Sequence, residues 1–250
     1  MRRSAWGMAV GAVVLGGALA NLAHAATPTG NQVLERAVAQ LEGVRDVSLV
    51  VQVEQFDPAS GKKVGTMAAQ LQAVVDPAAV RLTLTAPQAL AGQVIMIDGV
   101  KQEAYVYSPV TEQVTAESLE QFGSQFGPAF GDMGKFSTLG KGGATGRSSG
   151  QSSDLRSLLQ LPDPQQYPAT LIRTATVNGV SAYVVDVVNT QALILQRFWV
   201  ATQSYQVLQI ETYDARNRLT SRVSLSQWKV NSGLDSSRLL KWPAGATLAQ

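Results

Sequence analysis

Period-two alternation runs through most of the chain beyond residue 44, and it admits few folds other than an antiparallel sheet. Val47, Leu49, Val51 and Val53 alternate with Ser48, Gln52 and Glu54. After the turn signal Asp57-Pro58-Ala59-Ser60-Gly61, the pattern returns as Met67, Ala69, Leu71, Ala73 and Val75. Asp76-Pro77 breaks it, and Val80, Leu82 and Leu84 carry it on to Ala86-Pro87. Val94 to Ile97, the turn Asp98-Gly99, and Ala104 to Tyr107 make a further hairpin closed by Ser108-Pro109. In the second half, Ala169 to Val177 and Ser181 to Val188 flank Asn178-Gly179, a pair suited to a type I′ turn. Phe198 to Ala201, Tyr205 to Tyr213 and Leu219 to Val230 follow, with a last short edge strand expected at Leu239 to Pro243.

Helical spacing is confined to short pieces. Asn31 is a candidate N-cap for Val33, Leu34, Ala37, Val38 and Leu41, and Gly43 stops the run. Ala116 to Phe126 and Leu155 to Leu161 read as two more short helices. Between them, roughly residues 127–153 are rich in Gly and Ser, a composition that buries too little to offset its ordering entropy, so a flexible insertion is expected there. The fold class is mainly β with short helices. About ten or eleven strands form one highly curved antiparallel sheet.

The N-terminus reads as a cleavable export signal. Arg2 and Arg3 precede the apolar stretch Ala9 to Leu22, and Ala23-His24-Ala25 has small residues where signal peptidase reads. The apolar stretch is short of the ~20 strongly hydrophobic residues of a membrane span. Residues 26–250 are therefore expected to form a single exported, soluble domain. Removing the leader takes two of the 20 basic residues and none of the 18 acidic ones, leaving a formally neutral chain. No basic patch of the kind that binds nucleic acid remains.

The leader also holds the single histidine, His24, and the chain has no cysteine. That excludes Ser-His-Asp and Cys-His catalysis, zinc sites of ordinary composition, and a lipid anchor attached to Cys. No metal and no cofactor is expected, and the chain does not read as an enzyme. Asp98 and Asp186 fall at strand ends or on sheet faces, Lys62, Lys63 and Lys141 in turns or loops, and Gly140 to Gly146 lacks the Lys-Ser/Thr of a phosphate loop. Phe122, Phe126, Phe130 and Phe136 form an aromatic set of core, lid or docking character.

A curved sheet of this size encloses an interior that is either a filled core or an apolar cavity for acyl chains. The candidate cavity or lid residues are Val51, Leu71, Leu82, Leu84, Val94, Met96, Tyr105, Phe122, Phe126, Leu158, Phe198 and Trp199.

The order of these elements resembles the LolA-like periplasmic lipoprotein carriers and the wider lipoprotein-sorting superfamily. Asp76 to Pro87, DPAAVRLTLTAP, is similar to the family's Arg-Pro-x-x-x-Arg-Trp-x-x-x-x-Pro strand. Ile97-Asp98-Gly99 is like its Ser-Asp-Gly turn, and Tyr105 to Thr115 is like its aromatic-Tyr-Asp/Asn-Pro-x-x-Glu-Gln segment. Phe198-Trp199-Val200, Ile210 to Asp214, and Trp242-Pro243-Ala244-Gly245-Ala246 match later elements in order. The resemblance implies a half-open antiparallel β-barrel with a helical lid and a hydrophobic cavity that takes the acyl chains of lipoproteins. Its partners would be acylated lipoproteins or lipids, an inner-membrane releasing complex and an outer-membrane acceptor, for a monomer working in the periplasm. The family's lid-closing Arg corresponds to Asp76 here, which leaves the nearby Arg81 as the lid-closure candidate, and Ala73 stands about where the family has Trp. The competing reading is an envelope-stress sensor or regulator of the same fold that binds a membrane protein or lipoprotein without transport.

Overall fold

The computed structural model of the protein describes residues 27–123, 155–156, 159, 161–163, 165–189 and 194–249. The leader, the Gly- and Ser-rich stretch at 127–153, Phe126 and Leu158 lie outside the described residues.

Among the described residues, twelve strands share one sheet. In chain order they are β1 (Asp46–Phe56), β2 (Lys63–Val74), β3 (Ala79–Ala86), β4 (Val94–Asp98), β5 (Glu103–Ser108) and β6 (Gln113–Ser118), then β7 (Ala169–Val177), β8 (Val180–Asn189), β9 (Ile194–Ala201), β10 (Val207–Tyr213), β11 (Leu219–Val230) and β12 (Thr247–Leu248). β1 to β6 form one antiparallel meander and β7 to β11 another. The two join where β1 pairs with β11, and β12 adds to β6 in parallel. β7 and β12 end the row, so the sheet stays open rather than closing into a barrel.

Register shifts interrupt six of the pairings, including those of β1 with both its neighbours. An extra residue on one strand bends it, and repeated bends curve the sheet. Turn chemistry follows the sequence: Asn178 and Gly179 take φ +50° and +80°, as a type I′ hairpin requires. Gly99 is needed for a different reason, since a Cβ there would lie 2.7 Å from that of Ala78.

Three local details differ from the expectations. The N-cap of α1 (Gly30–Ala39) is Thr29, not Asn31; Thr29 and Gln32 form a reciprocal capping box. Asn31 instead accepts the backbone N–H of Ala169 at 2.7 Å, tying the helix to the start of β7. The segment 116–118 is the end of β6, with residues 119–123 helical. The last edge strand is Thr247–Leu248, because Ser236–Leu239 form a helical turn, α2, capped by the Asp235 carboxylate.

The main core lies on the inner face of the sheet. Val33, Leu34, Ala37 and Leu41 of the α1 region pack there, joined by Leu119, Phe122, Leu155, Leu159 and Leu161. A helix of ten residues is marginal alone. Burying each Val or Leu contributes about 1.5–3 kcal/mol, which is what holds α1 in place.

Candidate functional site

Cross-strand pairing arranges the inner face in rows. One row runs Leu171, Val185, Phe198, Ile210, Val223, Val53 and Met67, crossing seven strands from β7 to β2. A second runs Leu49, Leu71, Leu82, Ile95 and Val106 across β1 to β5. Val51 sits between Leu225 and Ala69, with Leu84 beyond it. Of the candidate cavity residues, Val51, Leu71, Leu82, Leu84, Phe122 and Phe198 belong to this inner cluster.

Val94, Met96, Tyr105 and Trp199 do not. Met96 pairs with Arg81 and Tyr105, Val94 with Thr83 and Tyr107, and Trp199 with Val184 and Gln209, all in registers offset by one residue from the inner rows. A one-residue offset puts a side chain on the opposite face. Trp199 packs there with Ala182 and Val184, and Tyr105 lies against Trp242 with ring centroids 6.2 Å apart. These four therefore back the sheet rather than line its interior.

The inner face opens at one end. An open groove of about 420 Å³ is lined by Val53, Gln55, Gly65, Thr66, Met67, Pro87 and Leu90. Its volume is that of ordinary small-ligand clefts. Val53 and Met67 form its floor and are also the end of the seven-strand row, so the groove is continuous with the apolar core. Gly65 stands opposite Gln55 in the β1–β2 ladder, where a Cβ would come within 3.3 Å of Gln55 Oε1. No lining residue is ionisable, and Gln55 offers a polar side chain. None of these residues was a sequence candidate; a lone Gly inside a strand, at Gly65, is the signal that marks such an approach. A smaller cavity of about 50 Å³ lies under α1, between Ala37, Leu41, Leu159, Val207 and Trp228. It has room for a few water molecules.

Charge is concentrated on the outer face. Asp186, Arg197, Glu211, Arg222 and Glu54 occupy one rung across β8, β9, β10, β11 and β1. Arg197 grips Asp186 with two bonds of 2.6 and 2.8 Å, and Arg222 donates to Glu211 at 2.9 Å and to Glu54 at 3.4 Å. Lys63 completes the ladder on Glu54 at 3.1 Å. Three acids balance three bases, so the ladder is neutral. Tyr213 donates to Glu211, and burial, with that bond and the negative charge of Glu211, pushes its hydroxyl up to about 12.

Arg81 points away from any lid. From the outer face of β3 it donates to the carbonyls of Leu239 at 3.0 Å and Lys241 at 2.8 Å, pinning the C-terminal segment across the back of the sheet. Asp76 is exposed in the β2–β3 turn. A side-chain contact from α1 to the β9–β10 turn is made by Arg36, which donates to the Tyr205 hydroxyl and lies 5.1 Å from its ring centroid. Among the described residues no group of three His, Cys, Asp or Glu side chains is placed to hold a metal, and no helix is long and apolar enough to cross a membrane.

No family model matches the chain, and no curated protein matches it in sequence. Solved structures do match in fold. An uncharacterised conserved protein of Thermus thermophilus aligns over 87% of this chain and 96% of its own, at 12% identity and a TM-score of 0.51. A LolA superfamily protein of Nitrosomonas europaea covers 86% of this chain and 99% of its own at 15% identity, with a TM-score of 0.37. A chain of the MucA/MucB complex of Pseudomonas aeruginosa aligns over 85% of this chain and 60% of its own, at 14% identity and a TM-score of 0.45. At these identities the likeness is one of fold alone.

Proposed function

We propose that this protein is an exported, non-enzymatic carrier that binds the acyl chains of lipoproteins or other lipids and moves them from the inner to the outer membrane. The observation that carries this reading is the groove at the open end of the sheet. It has an apolar floor at Val53 and Met67, no ionisable lining residue, and continuity with the inner-face row that crosses seven strands. Apolar contact alone gives useful affinity, at about 0.8 kcal/mol for each buried CH₂. The sequence resemblance to lipoprotein carriers and the export signal point the same way. A releasing complex in the inner membrane and an acceptor in the outer membrane belong to the same proposal.

The test is mass spectrometry of whatever co-purifies with the exported protein, joined to displacement of a fluorescent fatty-acid probe by a lipopeptide. Co-purified acylated ligand and competitive displacement are expected. Absence of both overturns the reading, and stable capture of a single membrane protein with no lipid replaces it with the regulator.

A further inference from the structure

A carrier of acyl chains works at membrane surfaces, and three of the nine large apolar side chains exposed among the described residues lie beside the groove. Val64 is 66% exposed, Leu90 41% and Val110 86%. Single exposed hydrophobic residues are ordinary on protein surfaces. These three, however, lie at or next to one opening. Leu90 lines the groove, and Val64 immediately precedes Gly65, which lines it too. Gly92, two residues past Leu90, lies against Pro109, where a Cβ would be 3.5 Å from Pro109 Cγ, and Val110 follows that proline.

The charges beside the rim complete the pattern. Lys62 and Lys63 are exposed directly before Val64. Lys63 is engaged by Glu54, while Lys62 takes part in no ion pair among the described residues. Asp57, on the same turn, is occupied by the Ser60 hydroxyl at 2.6 Å and the Ala59 N–H at 3.0 Å. Glu112, two residues past Val110, is the acid at the other side of the rim. An apolar rim with a cation beside it suits a lipid surface, where the apolar side chains enter the headgroup region and a lysine remains among the phosphates.

We infer that Val64, Leu90 and Val110 form a membrane-contact rim, so that the groove docks mouth-first on a phospholipid bilayer. This inference rests on the carrier reading and adds the partner surface to it. The rim shallowly enters the bilayer, and the groove then lies against the acyl chains it is to accept or release.

The absence of cysteine makes the test direct. Single substitutions Val110→Cys at the rim and Val180→Cys at the far end of the sheet each take an environment-sensitive fluorophore on the exported protein. Vesicles of phosphatidylcholine with phosphatidylglycerol are expected to blue-shift the rim label and leave the far-end label unchanged. In the unlabelled protein, the double change Val64→Asp with Val110→Asp should cut vesicle binding at least about tenfold, given the cost of placing carboxylates in a bilayer interface. The same variant should keep binding of the soluble fatty-acid probe unchanged, because neither residue lines the groove. Lys62→Gln should weaken binding to anionic vesicles about fivefold, the contribution of one basic residue at such a surface.

Equal shifts at both labels, vesicle binding indifferent to the aspartates, or binding only to vesicles that carry an envelope protein overturns the inference. Fatty-acid binding without vesicle binding discards the rim and keeps the carrier. Vesicle binding without fatty-acid binding discards the carrier.

Discussion

Glu211 and Arg222 face one another across β10 and β11, and Glu211, a residue only 4% exposed, accepts the Arg222 Nε–H at 2.9 Å. Removing the carboxylate leaves two guanidinium groups, Arg197 and Arg222, without the charge between them. Glu211→Ala should destabilise the protein by about 2 kcal/mol, less than for a fully buried pair because Arg222 is about one-third exposed. Replacing Glu211 and Arg222 together with leucine should restore most of that loss. Urea denaturation of the three proteins measures both effects.

The same ladder gives the protein an alkaline limit. Burial and the neighbouring Glu211 push the Tyr213 hydroxyl up to about 12, and burial with Glu103 does the same for Tyr105. The folded state therefore keeps two protons that unfolded tyrosines lose near pH 10. Stability from these groups is complete below about pH 10 and disappears as pH rises through about 12. Ultraviolet titration should find two late phenols, and Tyr213→Phe with Tyr105→Phe should flatten the fall in denaturation midpoint over that range.

At the acid end the key group is Asp46. Burial raises its carboxyl, but bonds from the Ser232 hydroxyl and the Ser232 and Gly233 N–H groups outweigh that and hold it below the ordinary range. Its contribution is fully present above about pH 4 and is lost as pH falls through the lowered value. Asp46→Asn should cost about 2 kcal/mol at neutral pH. It should also make the denaturation midpoint less sensitive to pH below about 4 than in the parent.

Gly30 offers a test by sign. Glycine to alanine inside a helix ordinarily stabilises by about 1 kcal/mol. Here the added Cβ would stand 2.4 Å from the carbonyl oxygen of Ala169, and backbone on both sides leaves little to give. Gly30→Ala should destabilise by about 1–3 kcal/mol, the usual cost of overpacking, and speed hydrogen exchange in α1. A stabilised variant would mean that α1 is not seated on β7.

Arg81 separates a strap from a lid. If it pins the C-terminal segment, Arg81→Ala should expose Lys241 to trypsin several-fold faster while fatty-acid binding stays as in the parent. Loss of fatty-acid binding with unchanged cleavage would restore the lid role.

The sheet was readable because its strands alternate and its turns carry Asp-Pro, Ala-Pro, Asp-Gly and Asn-Gly. Which face each strand turns inward was readable only where the other face is polar, as in β1. β4 is buried at all five positions, with the C-terminal segment behind it, so Val94 and Met96 carry no sign that they face outward. Trp199 is hidden likewise by its own cluster with Ala182 and Val184. The Thr29–Gln32 capping spacing was legible in the chain, yet the neighbouring Asn31 offers an equally good N-cap residue until its long-range partner Ala169 is known. Arg36 and Tyr205 are 169 residues apart, and nothing local announces their contact.

The meander topology has a consequence for how the chain is made. Among the described residues, every antiparallel pairing but one joins strands that follow each other in sequence; the exception is the β1–β11 seam. During synthesis β2 arrives soon after β1, but the other edge of β1 waits more than 160 residues for Leu219–Val230. Over that interval Leu49, Val51 and Val53 border an open, strongly β-forming edge, the kind that recruits other chains. The vulnerable moment in this protein's life is therefore the delay before its two halves meet, and a holding chaperone would find its target at β1.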